Sequence, residues 1–257
     1  MNFQDHCNRI ADDVFEAIRP LRDSGIGAEI VKQGADGTPT KLIDEAAEDI
    51  AIEYIRENGL CSKIISEEAG IIEFDGKPGT IYLDPVDGTH NAITGNPFFS
   101  ISIAYSDGRR VAEGYVQDLV SRETFYSSYG KGAYINGKKV SVSKTESLEK
   151  STLSIYGKKF HPETIVSIGQ KIRRMRLFGA SSLEICYVGC GRLDGFIDIR
   201  QTLRTTDAAA GVLFCTEGGG KVTDISGRTV EFPENVTEGR TLVATNGYIH
   251  DKVLEYL

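Results

Sequence analysis

Basic charge is in short supply in this chain of 257 residues: 29 Lys and Arg stand against 37 Asp and Glu, a formal net charge of −8. That balance excludes a nucleic-acid binder relying on a broad basic surface. It leaves room for an anionic substrate, because divalent cations and a few local arginines reverse the field inside a pocket. No apolar run approaches the roughly 18 residues of a membrane-crossing helix. No signal peptide is recognisable either, so a soluble cytoplasmic protein is expected. Cysteine is sparse and unpaired. Cys7, Cys61, Cys186, Cys190 and Cys215 are scattered, odd in number and without a CxxC arrangement, which predicts reduced, mostly buried thiols. Cys186 and Cys190 lie four apart on an expected helix, a spacing that also suits a metal, but packed thiols are the simpler reading. Tryptophan is absent and methionine occurs twice; the remainder, 40% apolar and 26% charged, is ordinary for a globular protein able to bury an ample core.

Periodicity supplies the outline of a fold. Phe3, Cys7, Ile10, Val14, Ile18 and Leu21 recur at three- and four-residue steps and predict an amphipathic helix ending near Pro20. Residues 25–39 read as an exposed polar loop. Thr38 and Pro39 resemble an N-cap and N1 proline opening a second helix to about Asn58, with Ile43, Ala47, Ile50 and Tyr54 on its buried stripe. Short β-type runs follow at 63–66, 80–83, 98–105, 110–118, 123–129 and 133–135, several joined by Asp-Gly or Asn-Gly turns. From about residue 150, strands near 152–156, 175–178, 194–199, 220–224 and 241–245 alternate with helices at 162–172, 180–190, 205–217 and 247–256. The helix at 205–217 is expected to close at Gly218 as a C-terminal Gly cap. No internal repeat or low-complexity linker intervenes. The expectation is one unit of mixed α+β and α/β character with layered helices and sheets, in two lobes, 1–150 and 151–257.

Chemistry concentrates at Asp84-Pro85-Val86-Asp87-Gly88-Thr89, directly after the apolar run Ile81-Tyr82-Leu83. Two carboxylates at the end of a β-run place hard oxygen ligands where α/β sheets form their sites. Gly88 lets the backbone approach an anion closely, and Thr89 adds a hydroxyl. An EF-hand does not fit, since Val86 falls at the third position and Ala92 lies beyond Gly88 with no matching Glu. A nucleophilic aspartate two residues before its partner does not fit either, because here the separation is three. Read alone, the hexapeptide also suits a Pro-Gly turn with acids facing solvent. A hard cation needs carboxylates from several elements. Glu67 and Glu68 follow Ile64-Ile65 at another strand end, Asp207 starts an Ala-rich helix, and Asp44 lies about a turn and a half into the second helix with Glu48 one turn later.

With these residues in view, the chain resembles the inositol monophosphatase superfamily of Mg2+-dependent, lithium-sensitive sugar phosphatases, and most resembles its archaeal members acting on both fructose 1,6-bisphosphate and inositol monophosphate. The first family signature, Asp-Pro-(Ile/Val/Leu)-Asp-Gly-Thr, is met in full at 84–89; Glu67-Glu68 matches the acidic pair, and Asp36-Gly37-Thr38-Pro39-Thr40-Lys41 leading to Asp44 resembles the metal-loop region. In the second signature Thr206 replaces the usual Trp before Asp207, as in the archaeal branch. The similarity extends to Phe178-Gly179-Ala180 and Gly218-Gly219-Gly220-Lys221 and spans essentially the whole chain. It implies a layered αβαβα sandwich. It also implies two or three Mg2+ per subunit: Glu67, Asp84 and the Val86 carbonyl on one, Asp84, Asp87 and Asp207 on a second, and a weaker third near Glu67 and residues 25–40. Water is the implied nucleophile, with Thr89 relaying a proton to Asp44 and the amides of Gly88 and Thr89 holding phosphate.

Arg176, Ser181, Asp198 and Arg200 match substrate positions by the same resemblance, and guanidinium forks suit a second phosphate. On sequence alone, Arg173, Arg174 and Arg176 equally fit a solvated basic run, and Arg200 a surface ion pair. Hydrolysis of fructose 1,6-bisphosphate and inositol 1-phosphate is the expectation; a 3'-phosphoadenosine 5'-phosphate or NADP phosphatase, and a catalytically silent metal-binding regulator, are the alternatives. The expected partners are a small phosphorylated sugar or polyol and a second copy in a homodimer, with neither nucleic acid nor membrane. Histidines add little: His90 adjoins Thr89 but suits a surface or helix-start place, and His6, His161 and His250 sit at helix ends.

Overall fold

Helix α1 (Phe3–Ser24) opens with a reciprocal cap in which the Asn2 side chain accepts the Asp5 amide and the Asp5 carboxylate accepts the Asn2 amide. The structure, a computed structural model, describes residues 1–35, 37–157 and 162–257, so Asp36 and His161 lie outside the described residues. α1 does not stop at Pro20. The proline sits on the exposed face, where the carbonyl it leaves without a donor meets water, and the helix continues until Gly25 takes the left-handed conformation at φ 78°.

The expected loop at 25–39 contains structure. β1 (Ile30–Gln33) and β2 (Pro39–Lys41) pair as an antiparallel hairpin. Every residue of β1 is exposed, so no alternation of apolar and polar residues marked it. Pro39 is therefore a strand residue rather than a first helical residue. α2 (Leu42–Glu57) starts three positions later, without a side-chain cap. Asp44 consequently falls in its first turn, at the positive end of the helix dipole.

β3 (Lys63–Ser66), β4 (Gly70–Glu73), β5 (Thr80–Asp87), the short α3 (Thr89–Thr94), β6 (Ser100–Ser106), β7 (Val111–Asp118), β8 (Thr124–Ser128), β9 (Gly132–Ile135) and β10 (Lys138–Val140) follow. They build an eight-stranded sheet in the order β10-β9-β8-β7-β6-β5-β3-β4. β4 and β10, which the sequence did not signal, are its two edges. The second half adds β11 (Thr152–Tyr156), α4 (Pro162–Gly169), β12 (Arg174–Arg176), α5 (Ser181–Gly189), β13 (Gly195–Leu203), α6 (Thr205–Glu217), β14 (Lys221–Thr223), β15 (Arg240–Thr245) and α7 (His250–Leu254). Its sheet has the order β12-β11-β13-β15-β14. At the end of α6 the left-handed residue is Gly219, at φ 92°, and not Gly218.

Alternation of side chains along these strands divides the core into four seams, which define αβαβα layers. Ile81, Leu83, Ile101 and Ile103 face α1 and α2, whereas Tyr82, Ala104 and Val116 face α5 and α6. Phe196, Leu242 and Ala244 cover the other side of α5 and α6; Ile197, Ile199 and Val243 face the outer layer that includes Ile168 and Val253. The middle helices are thus buried on both sides. This explains the small residues after Asp207: a Cβ on Gly114 of β7 would come within 2.9 Å of the Ala210 carbonyl, and one on Gly211 within 2.9 Å of the Ser182 carbonyl.

Two local features aim the site. β3 and β5 are parallel neighbours, with Ser66 beside Leu83, so Glu67 and Asp84 leave the same end of the sheet side by side. Across β6, Asp84 faces Ser102 and Asp87 faces Ser100, so three steps along β5 oppose two along β6. This β-bulge re-aims the strand, and two carboxylates whose odd spacing would direct them to opposite faces line one cavity.

Candidate active site

The cavity has a volume of about 340 Å3, and Glu67, Asp84, Asp87, Thr89, Arg204 and Asp207 form one part of its wall. Carboxylate oxygens of Glu67, Asp84 and Asp207 all lie within 4.8 Å of one another. Asp84 is 1% exposed. One of its oxygens accepts the Val86 amide at 3.0 Å, and the other is buried with no hydrogen-bond partner. An orphaned anionic oxygen inside an all-oxygen cage suits a hard divalent cation. The residues therefore fit the metal that the sequence implies.

Neighbouring elements hold the other acids. Asp87 reaches the start of α5, accepting the amides of Ser181 at 3.1 Å and Ser182 at 2.7 Å and the Ser182 hydroxyl at 2.6 Å. Ser181 thus contributes its amide to Asp87 while also lining the cavity. The Thr89 hydroxyl lies 2.8 Å from Asp44 Oδ1 and 3.1 Å from the Val86 carbonyl, two acceptors for one proton. Gly88, at φ 91°, leaves β5 for α3 so tightly that an added Cβ would sit 3.0 Å from the Gly179 carbonyl. Glu48 is buried, but it serves the turn after β3: its carboxylate accepts the Ser66 hydroxyl and the amides of Glu68 at 3.2 Å and Ala69 at 3.0 Å. Glu68 accepts the Thr40 hydroxyl. The acidic pair is thereby split, with Glu67 alone lining the cavity.

Burial and mutual repulsion raise the pKa of these acids. Burial is the main cause for Glu67, Asp84 and Asp87, with neighbouring carboxylates adding to it. Burial also pushes Asp44 up to about 6, against the opposing hydrogen bond from Thr89. Raised values mean that the folded protein keeps protons the unfolded chain releases. The contribution of these acids to the stability of the metal-free protein is therefore fullest below the ordinary carboxylate range and is lost as pH climbs through Asp44's value of about 6 and the raised values of Glu67, Asp84 and Asp87. Divalent cations bind the ionised form and oppose the decline. The expected result is a Tm that drops between about pH 5 and pH 8 in EDTA and drops far less in excess Mg2+. A metal-free Tm that rises across this interval contradicts the cluster's electrostatics.

Arg200 and Tyr156 also line the cavity. The Arg200 guanidinium lies 4.5 Å from the centre of the Tyr156 ring. Its Nε and Nη2 donate to Asp198 at 3.0 and 2.6 Å. Asp198 itself is fully buried and does not line the cavity; both of its oxygens are turned to Arg200. It is placed to orient that arginine rather than to touch a substrate hydroxyl. Arg176 is not brought to this cavity either. It is exposed on β12, at the edge of the five-stranded sheet, and donates to the Met175 carbonyl at 3.0 Å. His90 lines the cavity, while His250 is buried between Thr223 and Thr245, far from surface duty. All five cysteines are free, and Cys186 is fully buried in the layer between the sheets.

Arg204 is the residue that sequence inspection passes over. Just before α6, it donates from Nη2 to Asp207 Oδ1 at 3.0 Å, from Nε to Asp207 Oδ2 at 3.2 Å, and from Nη1 to Glu67. The one signal in the chain was its place three residues before Asp207, a spacing shared by many solvated helix-start pairs.

Carboxylates gathered at strand ends, beside the starts of α3, α5 and α6 and in one cavity with Arg200 and Arg204, make a donor set suited to a metal-dependent phosphatase. A family model of the inositol monophosphatase family matches residues 6–257, and the chain belongs to that family. It is 39% identical to a fructose-1,6-bisphosphatase/inositol-1-monophosphatase of Methanothermobacter thermautotrophicus, over 97% of this chain and 94% of the relative. It is 36% identical to a bifunctional NADP phosphatase/NAD kinase of Methanococcus maripaludis, over 95% of this chain and 47% of that longer protein. A solved structure described as an inositol monophosphatase-fructose 1,6 bisphosphatase superposes with a TM-score of 0.91 at 29% identity, covering 100% of both chains.

Proposed function

We propose that the protein is a Mg2+-dependent phosphomonoester hydrolase that releases phosphate from fructose 1,6-bisphosphate, at the 1-position, and from inositol 1-phosphate by direct attack of water. The observation that carries this reading is the partnerless buried oxygen of Asp84, set among Glu67, Asp87 and Asp207 in the same cavity as Arg200. Glu67, Asp84 and the Val86 carbonyl would hold one Mg2+, Asp84, Asp87 and Asp207 a second, with a weaker third near Glu67. When bound, these cations activate the attacking water and neutralise charge on the phosphoryl and leaving oxygens. Thr89 passes a proton toward Asp44, whose raised pKa makes it a competent acceptor near neutral pH. The Gly88 and Thr89 amides would hold the phosphate, and Ser181, beside Asp87, also lines the cavity. Arg200, held flat by Asp198 and Tyr156, meets the second phosphate of a bisphosphate. Arg176 would join it only by moving inward from its exposed place.

A kinetic panel of fructose 1,6-bisphosphate, inositol 1-phosphate, 3'-phosphoadenosine 5'-phosphate and NADP, with and without Mg2+, tests the substrate class. Preference for either nucleotide would replace the sugar reading, in line with the name of the Methanococcus relative. Single-turnover hydrolysis in 18O water should label phosphate without a trapped phosphoenzyme. Arg200→Ala is expected to raise KM for the bisphosphate by roughly 10- to 100-fold, the scale of a lost charge-assisted contact, and to affect inositol 1-phosphate much less. Equal loss on both substrates removes the second-phosphate role. A cytoplasmic homodimer is the expected state, and light scattering measures its mass.

A further inference from the structure

The guanidinium of Arg204 stands among the same oxygens that are proposed to hold the metal. Its Nε and Nη2 donate to Asp207 and its Nη1 to Glu67, and its backbone amide adds a bond to Asp207 Oδ2 at 3.1 Å. Both oxygens of Asp207 are thereby engaged by one side chain. Asp84, the third member of the cage, keeps its orphaned oxygen. The arrangement sets one positive charge against two of three crowded carboxylates without a metal. It also puts a positive charge where a divalent cation would have to approach, and two cations sharing the Glu67 and Asp207 oxygens repel each other. The backbone of Arg204 is anchored at the junction of β13 and α6, and its long side chain reaches from there into a cavity that Thr202 and Arg200 also line.

We infer that Arg204 is a built-in counter-ion that holds the carboxylate cage until a divalent cation displaces it, so that metal affinity is set by a competition inside the protein. Resting on the metal-centre reading above, this assigns Arg204 a positioning role: it acts through Glu67 and Asp207 and not on the reacting atoms. It also predicts the unusual direction of a mutational effect. Loss of a merely structural residue loosens a metal site, whereas removal of a competing cation tightens it.

Isothermal titration of the full chain with Mg2+, without substrate, separates these outcomes. Arg204→Gln is expected to bind Mg2+ tighter than wild type by roughly tenfold or more, from the loss of charge-assisted bonds that the metal otherwise has to break. Its Tm in EDTA is expected to fall, and added Mg2+ to restore it. Arg200→Gln is the control: it removes an equal charge from the same cavity, but that arginine is held by Asp198, feels Asp207 only through the field and bonds neither Glu67 nor Asp207, so Mg2+ affinity should rise clearly less than in Arg204→Gln. Should Arg204→Gln not fold in EDTA, Arg204→Lys, which keeps the charge and loses the fork, carries the same comparison with a smaller gain. Binding by the Arg204 variants no tighter than wild type, or equal tightening in Arg200→Gln, overturns the inference while leaving the metal centre standing. Absence of Mg2+ binding by wild type overturns both.

Discussion

Replacing Asp84 with Asn should abolish Mg2+-dependent turnover, a loss far beyond the roughly 10–100-fold that follows removal of a supporting hydrogen-bond partner of a metal ligand. Asp84 is the acid shared by both proposed cations, and its orphaned oxygen has no other duty among the described residues. The same change should stabilise the metal-free protein. An uncharged amide removes repulsion against Glu67, Asp87 and Asp207, which raise the Asp84 pKa after burial itself. It also supplies a donor for the carboxylates gathered within 4.8 Å. Relief of one uncompensated buried polar group amounts to about 1–3 kcal/mol. For a chain of this size that is a rise of several degrees in Tm. Calorimetry in EDTA and steady-state assay in Mg2+ should therefore move in opposite directions. Full Mg2+-dependent activity in Asp84→Asn removes the assignment; an unchanged metal-free Tm leaves the ligand role but discards the account of its strain.

Asp44→Asn is expected to lower kcat by roughly 10²–10⁴-fold, the usual scale of a positioned general base. The pH profile should distinguish that role from simple damage. Asp44 sits at about 6 in the metal-free fold because burial outweighs the hydrogen bond from Thr89. Activity should rise with pH as this carboxyl loses its proton, with an acid limb at or below about 6, since cations bound nearby favour the ionised form. The variant should lose that limb along with its rate. A geometric point sharpens the expectation: the Thr89 hydroxyl lies between Asp44 and the Val86 carbonyl. Were that carbonyl engaged by a cation, Asp44 would remain the acceptor for the Thr89 proton. An acid limb that persists unchanged in Asp44→Asn would assign the titration to another group.

The acids were legible for a local reason. Ile81-Tyr82-Leu83 and Ile64-Ile65 are short β-branched or apolar runs, and carboxylates placed just after such runs emerge at strand ends. Asp207 was legible because it opens an Ala-rich helix. The hairpin at β1 and β2 was not, because a fully exposed strand buries no alternating face. Pro39 misled for the same reason: proline is equally at home at a helix start and on a solvent-facing strand. Asp198 and Arg200 illustrate a subtler gap. Two residues of opposite charge two positions apart on a strand do not reveal that the buried one is wholly turned to orient the other.

The sequence by itself determined the inventory: oxygen donors rather than sulfur or imidazole, a glycine where the chain must turn at φ 91°, and apolar periods that call for layered helices and sheets. These depend on side-chain chemistry and on neighbours within a few positions. Only tertiary structure decided which donors meet. The parallel pairing of β3 with β5, the bulge between Asp84 and Asp87, and the entry of Arg204 between Glu67 and Asp207 join residues up to 137 positions apart. Sheet order and register fix such meetings, and no local spacing encodes them.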